Sequence, residues 1–122
     1  MAVRPRRIIV GYDGSEAASR ALDAAADLAG YGSTLAVVTV HPGDADRSTT
    51  ATARERLQRR HVEARYLETS GEPADELVEK ARELGADLLV IGRRNGDPLR
   101  ALPGSVSSRV VRHAPCDVLV VR

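Results

Sequence analysis

Ile8-Ile9-Val10 is an apolar run that stops at Gly11, the pattern of a strand buried on both faces and feeding a turn. Beyond Asp13-Gly14-Ser15 the apolar positions change to helical spacing. Ala18, Ala21, Leu22, Ala25, Leu28 and Ala29 recur until Gly30 and Gly32 stop the segment, with Ser15 as its N-cap. Leu35 to Val40 is a second β-branched run, closed by His41-Pro42-Gly43. Asp44 to Thr52 is polar and weakly patterned, and Ala53 to Arg60 predicts a helix. Val62 to Leu67 alternates, with Val62, Ala64 and Tyr66 against Glu63 and Arg65, as a half-buried edge strand does.

Gly71-Glu72-Pro73 opens a further helix, whose stripe is Leu77, Val78, Ala81 and Leu84 and whose end is Gly85. Asp87 to Ile91 reads as a buried strand ending at Gly92, and Arg93 to Pro103 as a loop. A helix from about Ser105 to His113 follows, with Val106, Val110 and Val111 as its apolar face, and Val118 to Val121 is the last strand. Five strands thus alternate with four helices. That alternation predicts an α/β three-layer sandwich: a five-stranded parallel sheet with right-handed crossovers and helices on both faces. Ligands of such sheets bind beyond the carboxyl ends of the strands, where strand order reverses. The glycine-bearing ends belong to strands one (Gly11, Gly14) and four (Gly92), which places those strands side by side in the order 3-2-1-4-5.

Composition narrows the function. The 122 residues, 43% hydrophobic and 29% charged, are read as one domain spanning 1–122. The aromatic residues are Tyr12, Tyr31 and Tyr66, so the core must come from Val, Leu, Ile and Ala, and stacking platforms for nucleic-acid bases are all but absent. A net charge of +1 argues the same way, so no nucleic-acid partner is expected. Lys80 is the only lysine and lies mid-chain in an amphipathic helix, which excludes a Walker A loop and a phospho-acceptor site that needs a late lysine. The other seventeen of the eighteen basic side chains are arginines, an excess for which codon bias is a sufficient account. Cys116 stands alone, and no apolar run approaches a membrane span, so a cytoplasmic protein with no membrane association is expected.

Several residues can carry chemistry, each beside a plainer role. Gly104-Ser105 opens the fourth helix, where free N–H groups and the helix dipole favour an anion, and Ser105 and Ser107 add hydroxyls; a simple helix cap needs the same residues. Asp13 follows strand one and can accept from a ribose hydroxyl or help hold a phosphate-bound metal, or it can satisfy N–H groups of its own turn. Arg93 and Arg94 can reach a phosphate or stay solvated. His41, His61, His113 and Cys116 lack metal-ligand spacing, and no nucleophile–base pair can be argued. The last strand, V-L-V-V, has no further strand to pair with. Antiparallel pairing of Val118–Val121 with a second copy predicts a closed two-fold homodimer.

The opening I-I-V-G-Y-D-G-S-E-A-A-S-R-A-L, the D-L-L-V-I-G strand and the closing G-S-V-S-S-R-V-V-R-H-A-P-C-D-V-L-V-V together resemble the universal stress protein family. The resemblance implies the same five-stranded parallel sheet, a dimer through the last strand, and ATP or AMP as ligand in many members. Their glycine motif, G-x2-G-x9-G followed by Ser or Thr, is matched by Gly92 and by Gly104-Ser105. Asn95 holds the place of the second glycine, and eight residues rather than nine separate it from Gly104. By resemblance Asp13 and the backbone of Val40 complete the site, with Mg²⁺ accompanying ATP. Members commonly run longer, and this chain looks trimmed after His41. The reading is a cytoplasmic homodimer that binds an adenine nucleotide as a sensor or regulator, not a fast enzyme. The alternatives are a dimeric interaction module of the same fold that binds no nucleotide, and a slow ATPase or adenylating enzyme.

Overall fold

A computed structural model describes residues 5–30, 32–41, 47–93 and 106–122. Nine elements alternate along them: β1 (Arg7–Gly11), α1 (Glu16–Leu28), β2 (Thr34–His41), α2 (Arg47–Arg59), β3 (Arg65–Ser70), α3 (Pro73–Leu84), β4 (Leu88–Gly92), α4 (Val106–His113) and β5 (Asp117–Val121). The sheet order is β3-β2-β1-β4-β5, and every neighbouring pair is parallel, as expected from the positions of the glycines.

Alternation along the central strands divides the core in two. Ile8, Val10, Leu35, Val37 and Val90 face α1 and α2, where Ala21, Leu22, Ala25, Ala53 and Leu57 meet them. Ile9, Ala36, Val38, Leu89 and Ile91 face the opposite way, onto Ala74, Leu77 and Ala81 of α3 and Val110 of α4. Alanines on the inner face of α1 let that helix lie close to the sheet. Local signals set the helix ends: Ser15 Oγ accepts from Ala18 N at 3.1 Å, Glu72 caps α3 with Pro73 behind it, and Gly85 ends α3 in the left-handed region at φ 62°.

Three elements depart from the sequence pattern. α2 begins at Arg47, not Ala53, because its first turn is held from outside: buried Thr50 donates to Thr39 Oγ1 of β2 at 3.1 Å. Hydroxyl residues such as Ser48, Thr49 and Thr50 show no apolar period, so propensity misses the turn. β3 runs over Arg65–Ser70 rather than Val62–Leu67, its register set by pairing Ala36 with Arg65 and His41 with Ser70. Val62 and Ala64 do pack on the first core, but from the connection that leads into β3. On α4, Val110 is buried as expected, but Val106 and Val111 are exposed and Ser107 takes the second buried position.

Arginines of α2 and of the turn after it fasten this segment to its neighbours. Arg56 grips Asp23 of α1 through Nε at 2.9 Å and Nη2 at 2.7 Å, Arg60 bonds both Asp23 and Asp27, and Arg54 lies 4.7 Å above the Tyr66 ring of β3. The Arg56 hydrogen bond holds the Asp23 carboxyl below its ordinary value against a desolvation effect of opposite sign. At the amino ends of the strands, Asp87 accepts from the N–H groups of Arg6 and Arg7 at 2.9 Å each, and the Arg7 bond leads the effects that lower its pKa.

Both carboxyls titrate lower in the folded chain than in the unfolded one. Their contribution to stability is therefore present above pH 3.8, the ordinary carboxylate value, and is lost as pH falls through the folded values. Asp23→Ala is expected to lower stability at pH 7 by roughly 1 kcal/mol, since the ion pair is partly solvated. Its loss of stability in acid should be shallower than that of the wild type. Urea midpoints taken from pH 7 to 3 check both, and parallel pH curves would refute the assignment to Asp23.

Candidate functional site

The strand order reverses between β1 and β4, so the chain leaves their carboxyl ends toward opposite faces of the sheet. A cleft of about 560 Å³ opens there, over the ends of β1, β2 and β4. Its walls differ in chemistry. On the α3–α4 side Val38, Val40, Pro73, Leu77 and Ile91 form an apolar slot; on the α1–α2 side Tyr12, Ser15, Thr39, His41 and Thr49 present polar groups.

All four helices point their amino termini at this end of the sheet, as parallel β–α units require. Ser15 and Ala18 of α1, Thr49 of α2, Pro73 of α3, and Val106 and Ser107 of α4 reach the cleft. The first turns of α2 and α4 contain no acidic residue to offset their dipoles. Anions are favoured at such a confluence.

Of the residues singled out in the sequence, Asp13, Val40, Gly92 and Ser107 line this one cleft. Asn95, Gly104 and Ser105, with Arg94, lie outside the described residues. Asp13 Oδ1 accepts from Ser15 N at 2.9 Å, so the carboxylate holds the turn that starts α1 while it borders the cleft. Ser107 is 5% exposed, in the first turn of α4. Val40 is placed by backbone direction. Val38 O accepts from Tyr12 N on the β1 side at 3.0 Å, and His41 O accepts from Gly71 N on the β3 side at 3.2 Å. Because neighbouring residues of a strand alternate sides, Val40 turns its N–H and C=O toward β1, just past the Tyr12 bond and into the cleft.

Gly92 has a reason of its own to be glycine. A Cβ there would stand 2.4 Å from the carbonyl carbon and oxygen of Ala17 and 2.8 Å from Ala18 N, in the first turn of α1. Contact of backbone on backbone cannot relax by side-chain rotation. Arg93 continues the strand by donating its N–H to Val121 O at 2.7 Å.

Sequence reasoning missed the polar wall. Tyr12, Thr39, His41 and Thr49 belong to it, and the sequence offers His41 as the close of the second strand and as a metal ligand without the spacing for one. The available signal was period two along β2, which puts Thr39 and His41 on the α2 face and at the strand's open end. Among the described residues, no group of three His, Cys, Asp or Glu side chains is placed to hold a metal, and no helix is long and apolar enough to cross a membrane. A second cavity of about 630 Å³ lies at the amino ends of the strands, lined by residues such as Arg6, Arg7, Ser33 and Asp87. Polar groups there largely bond one another: Ser33 Oγ donates to Pro5 O at 2.8 Å, and Asp87 accepts from Arg6 and Arg7.

A family model described as the universal stress protein family matches residues 5–56 and 43–122. Universal stress protein MT1672 of Mycobacterium tuberculosis is 33% identical over 141 residues, an alignment that covers 95% of each chain. Other curated relatives match at higher identity over shorter stretches, and there the chain spans only 37–48% of their length. A universal stress protein solved in complex with cAMP is 30% identical, with a TM-score of 0.85 and 98% of both chains covered. The Archaeoglobus fulgidus universal stress protein solved in complex with dAMP is 27% identical, with a TM-score of 0.80 over 98% of this chain and 100% of that one.

Gly92→Ala is expected to destabilise the fold by about 3 kcal/mol, the upper end for overpacking, because the obstruction is backbone. Thermal unfolding measures it. An unchanged midpoint would mean that α1 does not rest on Gly92.

Proposed function

Since this chain belongs to the universal stress protein family, we propose that it binds an adenine nucleotide in the cleft over β1, β2 and β4 and acts as a cytoplasmic sensor or regulator rather than a fast catalyst. The observation that carries the reading is the pairing of an apolar slot with converging helix amino termini in one cleft. A purine fits the slot of Val38, Leu77 and Ile91, and a phosphate fits the termini. Relatives solved with cAMP and with dAMP support the choice of an adenine nucleotide.

The residues then divide the ligand among them. The Val40 backbone offers one donor and one acceptor to the base, the pair that matches N1 and the 6-amino group of adenine. Asp13 takes a ribose hydroxyl, or a Mg²⁺ ion carried in by ATP. Gly92, Asn95, Gly104, Ser105 and Ser107 form the phosphate end, with Ser107 adding its hydroxyl and the α4 dipole.

Dimerisation through β5 completes the proposal. The two edges of the sheet differ: β3 carries the exposed charges Arg65 and Glu68, whereas β5 runs V-L-V-V between Asp117 and Arg122, with Leu119 36% exposed. Charges blunt an edge against pairing, and an apolar edge invites it. Antiparallel pairing of Val118–Val121 with its copy closes the assembly about a two-fold axis.

Titration calorimetry with AMP, cAMP, and ATP plus Mg²⁺ should give saturable binding, and at a hundredfold excess over Kd the nucleotide should add about 2.7 kcal/mol of stability. No heat and no thermal shift at millimolar nucleotide would sink nucleotide binding and favour an interaction module on the same fold. Sedimentation velocity at micromolar protein should show a dimer; a monomer refutes pairing through β5.

A further inference from the structure

His41 ends β2 with its side chain on the same face as Val37 and Thr39, toward α2. It is 6% exposed and lines the polar wall of the cleft. Its Nε2 is buried and makes no hydrogen bond, and it stands alone in this respect among the buried side-chain nitrogens and oxygens of the described residues. A buried imidazole nitrogen left without a partner keeps the desolvation penalty of burial with nothing to offset it. Such a group at the wall of a cleft leaves a hydrogen bond that a ligand's polar atom can supply. Thr39, the neighbour on the same face, differs: its hydroxyl is already paired with Thr50.

Position decides which part of a ligand reaches His41. β2 and β4 flank β1, so the β2 end of the cleft is about 10 Å, two strand spacings, from the β4 end. In the nucleotide reading Ser107 and the amino terminus of α4, at the β4 end, take the phosphate. A nucleotide anchored there lays its base toward β2, where the Val40 backbone and the His41 ring are consecutive. Neutral imidazole presents either a donor or an acceptor at Nε2, according to tautomer, and so can pair with either kind of polar atom on a purine edge.

We propose that His41 is a specificity-determining residue of this cleft, its Nε2 hydrogen-bonding a polar edge of the purine whose other edge meets the Val40 backbone. The proposal rests on the nucleotide reading and adds a side chain that recognises the base, distinct from the groups that hold ribose and phosphate.

The test uses the full chain, AMP, and ribose 5-phosphate as a ligand without a base. Saturating AMP should shift the ¹⁵N resonance of His41 Nε2 in the wild type, and ribose 5-phosphate should leave it in place. His41→Ala should weaken AMP about five- to tenfold, the loss of one hydrogen bond, and leave ribose 5-phosphate unaffected. His41→Gln, which keeps a donor and an acceptor, should recover part of the loss. AMP binding that leaves the nitrogen resonance unmoved overturns the role of His41 and spares the nucleotide reading. Equal weakening of both ligands by His41→Ala likewise overturns recognition of the base. Absence of AMP binding to the wild type overturns both. Should His41→Ala fail to fold, the wild-type resonance decides.

Discussion

The backbone of Ala17 and Ala18 rests on Gly92, and much of the cleft follows from that contact. α1 can cross the carboxyl end of β4 only where no Cβ stands in the way. With the helix seated there, its Ser15 cap and the Asp13 turn are brought to the rim of the gap between β1 and β4. Ala21 and Ala25, both fully buried, continue the close approach along the helix, so the shortage of aromatic side chains is a condition of the packing. Larger residues on that face would lift α1 and widen the crevice. Gly92 thereby serves the fold before it serves any ligand, and its presence in a glycine motif does not by itself establish a phosphate loop.

The arginine-rich composition also gains a physical meaning. A lysine offers a point charge, but Arg56 closes on Asp23 through two nitrogens and Arg54 lies flat over Tyr66. Both contacts use the planar guanidinium, and both tie α2 to other elements. α2 needs such ties because few buried apolar side chains, chiefly Ala53 and Leu57, hold it to the core. Codon bias can account for how many arginines there are. It does not account for where these sit.

The sheet was legible because its strands are apolar runs ended by glycine, and the order 3-2-1-4-5 could be reasoned from the glycines after strands one and four. α1 and α3 were legible through period and caps. What escaped notice was structure imposed from elsewhere in the chain. The first turn of α2 depends on a Thr50–Thr39 bond, and β3 takes its register from β2 and not from its own alternation. α4 buries Ser107 where the pattern offered Val106 and Val111, because an eight-residue helix turns inward whichever stripe its neighbours leave open. Asp13, Val40, Gly92 and Ser107 were found as separate candidates, and the fold brings them to one cleft.

The polar wall was missed for a related reason. Thr39 and His41 occupy strand positions whose counterparts deeper in the sheet, Val37 and Leu35, are core. A polar residue at the end of such a stripe reads from sequence as the place where the strand meets solvent. In the fold both are buried, since α2 arches over the strand end. Burial changes the meaning of a polar group. Exposed, it needs no partner; enclosed, it must find one or weaken the fold. Thr39 meets that demand within the protein and His41 Nε2 does not. Two residues on one strand face, both buried, therefore have different consequences: one fastens a helix, and the other leaves the cleft a vacant hydrogen bond beside the Val40 backbone.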